Sequence, residues 1–320
     1  MHRLRYAIAA FLAVFLTAPA LAQKYPERPI KFVVPFPPGG GNDILARATH
    51  QKLGDLLGQP VVIDNKPGAG GNIGTDFVAK SAADGYTILI ASNQVTINPA
   101  LGQKLPFDIE KDFAPVALIA SVPMLLAVHP SVKAASLADF IAEAKANPGK
   151  LNHSTPGTGT PQHLAFEVLN HMAGIKVTHV PYKGTGPAIA DLLGGQVQAA
   201  FATLASIEQH VKAGKVRALA VATPKRSPSA PSVPSVAETM PGYEVALWYS
   251  ILTPAGTPPD IVARLSAELA KVMALPEVRD RLVTQGFEPG HAGPAQLGAT
   301  IRRDLAKWQK FISDTGLKVN

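Results

Sequence analysis

The stretch that most constrains this chain is residues 30–43, IKFVVPFPPGGGND. Ile30, Phe32, Val33 and Val34 read as a short buried strand. Residues 35–41 form a Pro/Gly turn almost bare of side chains. Asn42 and Asp43 are cap-type residues at the head of an amphipathic helix that stops at Gly58. A strand feeding such a loop into a helix leaves backbone N–H groups without partners at the positive end of the helix dipole, which suits an anion. Glycine has no Cβ to hold the anion away from the backbone. A plain strand-to-helix turn looks the same, so the anion reading rests on finding a second loop of this kind.

Residues 154–163, STPGTGTPQH, supply it. Thr160 is a good N-cap, Pro161 is suited to the first helical position, and the helix runs to about residue 173. Ser154, Thr155, Thr158 and Thr160 add hydroxyls beside the backbone donors. A third glycine turn, 183–187 (KGTGP), also opens a helix. A fourth, 66–74 (KPGAGGNIG), precedes one as well and reads as close helix–strand packing. A micromolar ligand needs roughly 8 kcal/mol net, association costs at least about 4, and each hydrogen bond to a charged group returns about 1.5–3. Roughly four to eight donors are therefore required, more than one loop supplies, so the sequence predicts a cleft with a glycine loop on each wall.

Strands predicted at 30–34, 60–65, 86–91, 115–120 and 124–129, then at 151–154, 177–182, 197–202 and 216–222, mostly alternate with helices. This indicates parallel-rich α/β sheets. One sheet holding all of them would be unusually wide, so two sheets are expected. The break at residues 121–123 could be a crossover between domains. Residues 93–113 read as polar and turn-rich, and 223–240 as mostly loop. A strand at 245–252 carries Trp248 and Tyr249, expected to pack at the domain junction. The tail is predicted as three helices, 258–274, 276–285 and 294–315, with no strand between them.

The length of 320 residues fits about two domains, and 47% hydrophobic with 17% charged residues is globular. Residues 1–22 carry Arg3 and Arg5, a short apolar run and a small-x-small site at Ala20 and Ala22. They read as a secretory signal peptide cleaved after Ala22. Its removal takes the net charge from +7 to +5, a balance compatible with anionic small molecules or a solvated surface. No Lys/Arg cluster is dense enough for nucleic acid. The absence of cysteine excludes disulfides, thiolate chemistry and a lipid anchor on cysteine. The expected location is periplasmic.

Several chemistries fit poorly. The G-x-G-x-x-G dinucleotide pattern fails because Ile73 stands where its last glycine belongs, and no G-K-[ST] follows a glycine loop. There is no G-x-S-x-G elbow and no H-E-x-x-H. His163, His171 and His179 are spaced by eight and do not read as a metal set. Asp43 could act as a base, but capping its own helix or receiving a ligand amine or water is the simpler role. Lys183 reads as a charge contact or a surface lysine rather than a Schiff base. No cofactor or metal is expected.

Seven segments together resemble the Bug-type extracytoplasmic solute receptors, the binding components of tripartite tricarboxylate transporters. They are YPERPIKFVVPFPPGGGNDILAR, VVIDNKPGAGGNIGTDFVAKSAADGYT, KDFAPVALIASVP, PGKLNHSTPGTGTPQHLA, VTHVPYKGTGPAIADLLGGQVQAAF, KVRALAVATPKRSP and PGYEVALWYSILTPAGTP. The resemblance implies an α/β, two-lobed periplasmic-binding-protein fold (type II-like, a Venus flytrap) with a mixed sheet flanked by helices in each lobe. It assigns 23–122 and 250–320 to the first lobe and 123–249 to the second. It implies a small carboxylate, amino acid or related ligand, held in part through ordered water. Carried over by position, Phe36, Gly39, Gly40 and Asp43 fall on one wall, and Ser154, Gly157, Thr158, Gly159, Thr160 and His163 on the other. Asn93, after the third strand, and Thr203, in a segment less polar than in relatives and expected near the distal end of the ligand, complete the candidate set. The expected protein is a monomeric receptor with possible membrane transporter partners. A ligand sensor for a signalling partner, and a secreted hydrolase or lyase on the same architecture, stay open from the sequence.

Overall fold

The structure is a computed structural model that describes residues 25–102 and 104–316; the expected signal peptide lies outside them. The chain begins with β1 (Ile30–Val34), α1 (Gly41–Leu57), β2 (Val61–Asn65), α2 (Asn72–Ala79), β3 (Thr87–Ser92), α3 (Gln94–Ala100) and β4 (Phe113–Val122). There follow β5 (Met124–Val128), α4 (Leu137–Ala146), β6 (Asn152–Thr155), α5 (Pro161–Ala173), β7 (Thr178–Pro181), α6 (Thr185–Leu193), β8 (Ala199–Thr203), α7 (Leu204–Lys212), β9 (Arg217–Val221) and α8 (Val236–Thr239). The chain closes with β10 (Leu247–Pro254), α9 (Pro259–Ala274), α10 (Pro276–Thr284), β11 (Glu288–Ala292) and α11 (Pro294–Thr315).

These strands form two sheets, ordered β11-β4-β10-β3-β1-β2 and β7-β6-β8-β5-β9. Each is flanked by its own helices, so the molecule has two lobes. Only Pro123 separates β4 of the first sheet from β5 of the second, where the sequence suggested a crossover. β10 returns to the first sheet, pairing with β3 and β4. Glu288, on β11, stands at this junction: its carboxylate accepts from Ser121 Oγ at 3.1 Å and from Ser227 Oγ at 3.0 Å.

Both sheets are mixed rather than parallel-rich. β2, β1 and β3 run parallel, as do β7, β6 and β8, where helices make the returns. The chain passes from β4 straight into β5 with no helix between them, and β4, β5, β9, β10 and β11 pair antiparallel. The tail is not purely helical, since β11 (EPGHA) interrupts it. This strand has no apolar alternation to reveal it, and its proline and glycine are tolerated because it lies at a sheet edge. Residues 93–113 contain α3, which the sequence hid behind buried amides and Pro99.

Each sheet buries its apolar side chains against helices. Phe32, Val34, Ile88 and Ile90 are fully buried in the first lobe, and Phe140, Phe166 and Phe201 are buried in the second. The second lobe also buries two histidines, His153 and His163, against a half-buried third, His179. The parallel register of β6 and β7 pairs His153 with His179. His163, from the first turn of α5, stacks on His179 at 3.9 Å between ring centroids, and His153 stacks on Phe166 at 3.9 Å. The rings lie face to face rather than converging on a point. Burial first, and then the neighbouring rings, lower the pKa of His153 well below its ordinary value and that of His163 to about 3; burial lowers His179 to about 4. Glu167 Oε1 is 3.8 Å from His163 Nε2 and 4.0 Å from His153 Nε2, and burial raises its pKa.

Histidines kept neutral in the fold but free to charge when unfolded stabilise the protein above pH 6.5. That stability is lost as pH falls toward about 4. The expected loss between pH 7 and pH 4.5 is at least about 2 kcal/mol in urea unfolding. His153→Leu should flatten the profile in that window, and an equally steep profile in the variant would contradict the assignment.

Candidate functional site

The loop at 35–41 is held in shape from behind. Because β1 and β2 run parallel with Val34 opposite Asn65, the Asn65 amide reaches the loop and donates to Phe36 O at 3.0 Å and to Asp43 Oδ1 at 3.1 Å. Asp43 Oδ2 accepts from Gly39 N at 3.0 Å and from Arg47 Nε at 2.8 Å. Burial alone would raise the Asp43 pKa. The hydrogen bonds from Arg47, Gly39 and Asn65 outweigh it, so the group is held below its usual value and stays ionised. It therefore serves as the brace of its own loop.

The loop at 154–160 is braced in the same way. Thr160 caps α5, accepting from His163 N at 3.4 Å while donating to Gly157 O at 2.8 Å. Thr155 Oγ1 donates to Gly157 O at 3.1 Å and lies 2.7 Å from His179 Nε2. His163 Nδ1 accepts from Gly159 N at 3.3 Å, which requires an unprotonated ring nitrogen and agrees with its lowered pKa. Ser154 Oγ donates to Ala188 O at 3.0 Å. Among the hydroxyls expected to serve as donors, that of Thr158 alone has no partner within the described residues, and it lines the larger cavity described below.

The two loops face one another across two adjoining cavities. A small chamber of ≈20 Å³ is lined by Gly40, Gly41 and Asn42 at the start of α1, by Thr160, Pro161 and Gln162 at the start of α5, and by Thr185 at the start of α6. Ser92, Leu247 and Tyr249 help to close it. It has room for about one water-sized group. Phe36 and Pro156 line both this chamber and a larger cavity of ≈730 Å³, which runs between 67–73 of the first lobe and 156–158 and 181–184 of the second. Among the described residues, Lys183 is the one charged side chain lining either space.

Three helix N-termini drawn from both lobes thus meet at one chamber. The first turns of α1 and α6 have no side-chain cap, and Pro161 leaves α5 with no N–H at its first position. Their remaining first-turn N–H groups lack intrahelical acceptors, and the dipoles add positive potential. The glycines here are set by close approach. A Cβ at Gly41 would overlap the Tyr249 hydroxyl, and one at Gly70, where φ is +63°, would overlap Thr158 O across the lobes. Burial raises the Tyr249 pKa far above its ordinary value, so its hydroxyl remains a donor.

Of the candidate residues, Phe36, Gly40 and Thr160 line the chamber, and Phe36, Gly157 and Thr158 line the larger cavity. Gly39, Asp43, Asn93, Ser154, Gly159, His163 and Thr203 line neither. The side chains of Asn93 and Thr203 bond to Ala246 O and Ser206 Oγ, respectively. Sequence reasoning assigned the 66–74 loop to packing alone and missed Ser92, Gln162, Thr185 and Tyr249. The third glycine turn, opening α6 with the same loop-to-helix logic, was the signal for Thr185.

Residues 45–317 match the family described as "Tripartite tricarboxylate transporter family receptor". Protein BugT of Bordetella pertussis is 38% identical over 323 residues, covering 100% of this chain and 99% of BugT. Rpa4515 of R. palustris, solved with adipate, aligns with a TM-score of 0.88 at 36% identity, covering 92% of this chain and 99% of that one. MatC (Rpa3494) of Rhodopseudomonas palustris, solved with bound malate, aligns with a TM-score of 0.85 at 32% identity over 89% and 99% of the two chains. The fold is that of the two-lobed periplasmic binding proteins. The chain belongs to the tripartite tricarboxylate transporter receptor family, whose members are periplasmic solute receptors rather than enzymes.

Proposed function

We propose that this receptor captures a small carboxylate-bearing ligand between its lobes and delivers it to the membrane subunits of a tripartite tricarboxylate-type transporter. The observation that carries the reading is the meeting of three helix N-termini, from two lobes, at the small chamber. A carboxylate oxygen, or a water bridging to one, is the natural occupant of such a point. The adjoining ≈730 Å³ cavity is large enough for the body of a small organic acid. Relatives solved with adipate and with malate support the same ligand chemistry.

In this reading Gly40, Thr160, Phe36, Gly157 and Thr158 touch the ligand or its bridging water. Gly39, Asp43, Ser154, Gly159 and His163 hold the loops in place, and Asn93 and Thr203 secure the segments behind them. The first lobe comprises 23–122 and 250–320 and the second 123–249, with the hinge at 121–123 and 248–250. The protein is exported, cleaved after Ala22 and monomeric.

Gly40 offers a direct test. Its φ of −83° and ψ of 168° suit any residue, and it is the N-cap of α1, where aspartate is favoured. A Cβ there would stand 3.4 Å from Thr185 Oγ1, so a side chain enters the boundary between the lobes. Gly40→Asp should keep or raise the melting temperature while weakening carboxylate binding at least about tenfold in calorimetry, because a fixed anion competes for the same donors. Unchanged affinity in a folded variant would remove the chamber from the binding site. Separately, intact-mass analysis of the exported protein should give an N-terminus at Gln23, and light scattering a single-chain mass; a retained leader or a dimer would overturn those assignments.

A further inference from the structure

The two cavities differ in what they offer a ligand. At the small chamber the first turns of α1 and α6 have no side-chain cap. The larger cavity also borders a helix start, that of α2, but there the first N–H groups are taken. Gly71 N donates to Gly68 O at 3.0 Å, Asn72 N to Ala69 O, and Ile73 N to Gly68 O at 3.5 Å. On the opposite wall Gly157 N donates to Thr155 Oγ1 at 3.2 Å, Tyr182 N to Thr155 O at 3.0 Å and Gly184 N to Pro156 O at 3.0 Å. Four more lining positions are prolines, Pro37 and Pro67 from the first lobe and Pro156 and Pro181 from the second, and proline has no N–H to give. Main-chain donors are thus concentrated at the chamber and scarce along the larger cavity.

The side chains follow the same division. Phe36 and Tyr182, one from each lobe, are half-buried where they line the larger cavity, and Ile73 beside them is 55% exposed. The Tyr182 hydroxyl is engaged with Asp191 Oδ2 at 2.6 Å, so what this residue has to offer the cavity is its ring. Its bond to Thr155 O mounts that ring on the braced loop that leads to the chamber. Three polar side chains line the space. Asn72 Oδ1 accepts from Asn98 Nδ2 at 2.7 Å, Thr158 has its hydroxyl, and Lys183 is exposed, which keeps its ammonium hydrated at the rim. A second carboxylate placed here would give up water for few donors, which is unfavourable. A methylene chain or an aryl ring would instead cover apolar side chains and gain from leaving water.

We propose that the ligand of this receptor is a monocarboxylic acid with an apolar body, an aryl or alkyl acid. Its carboxylate sits at the small chamber and its body lies against Phe36, Ile73 and Tyr182. Ile73 and Tyr182 thereby determine specificity from opposite walls. This rests on the interlobe carboxylate site proposed above and narrows its ligand to acids without a second charged group.

The test is calorimetry at pH 7 with butanoate, hexanoate, octanoate and 3-phenylpropanoate, against succinate, adipate and octanedioate. In the wild type each alkyl monocarboxylate should bind more tightly than the dicarboxylate of equal length, by at least about tenfold for the longest pair. Affinity should rise at least about threefold for every two methylenes added, and the heat-capacity change should become more negative along the series. Tyr182→Ala should lower the affinity for octanoate and 3-phenylpropanoate at least about fivefold more than that for butanoate. Tyr182→Phe, which keeps the ring, should match the wild type within about twofold. Ile73→Ser, at a side chain exposed enough to be replaced without disturbing the core, should weaken the same two acids from the other wall. Tighter binding of the dicarboxylates, or affinity that does not change with chain length, would overturn the apolar-body assignment while leaving the carboxylate site standing. A length dependence that neither Tyr182→Ala nor Ile73→Ser weakens would overturn the roles of those residues. Failure of every acid to bind the wild type would overturn both this inference and the site it rests on.

Discussion

The proposed ligand capture depends on a few main-chain N–H groups left uncommitted at the starts of three helices. Polar side chains do the opposite work. Asn65 and Asp43 brace the first loop, and Thr155, Thr160, His163 and His179 brace the second. The division is physically sensible, because a flexible hydroxyl or carboxylate loses entropy when it orders around a ligand, whereas a braced backbone is already ordered. It also explains why the lining holds so little charge: the positive potential comes from helix dipoles, and among the described residues Lys183 adds the one full charge, from the exposed side. Because the three helices belong to different lobes, the complete donor set exists only when the lobes are together, so under the proposed reading capture and closure are one process.

The strand–loop–helix units were legible because each leaves a local signature. The apolar run at β1, the bare loop and the cap residues each report their own conformation, and Thr160–Pro161 specifies a helix start within two residues. The existence of two facing loops could likewise be argued from the number of donors a ligand needs. What could not be read was which donors stay available. Asp43 and Ser154 look like ligand contacts on paper, yet their partners, Arg47 with Asn65 and the Ala188 carbonyl, are fixed by tertiary structure. The 66–74 loop was misread for the same reason. Its glycines do permit close packing, but at Gly70 the neighbour is Thr158 of the opposite lobe rather than a strand of its own.

Elements that lack periodicity were the other blind spot. β11 has the composition of a turn, and it is a strand only because β4 offers an unpaired edge beside it. Its contribution is positional: it carries Glu288 to the junction, where one carboxylate holds hydroxyls from Ser121, at the end of β4, and from Ser227, in the long connection after β9. α3 is similar. Amides and a proline disguise it, and burial between the lobes makes it a helix. In both cases tertiary contacts overrode local preference, and in both the segment lies beside the cleft or the junction of the two sheets.

The stacked histidines have a consequence for the environment in which such a receptor works. An outer compartment follows the acidity of its surroundings, and imidazoles next to a loop proposed to bind an anion would ordinarily gain and lose charge over that range. Here burial holds the pKa of His163 down to about 3 and that of His179 to about 4, and holds His153 well below its ordinary value, so the charge beside the proposed anion loop is the same in a mildly acidic medium as at neutrality. In the proposed reading, capture then responds to how much solute is present rather than to how acidic the medium has become.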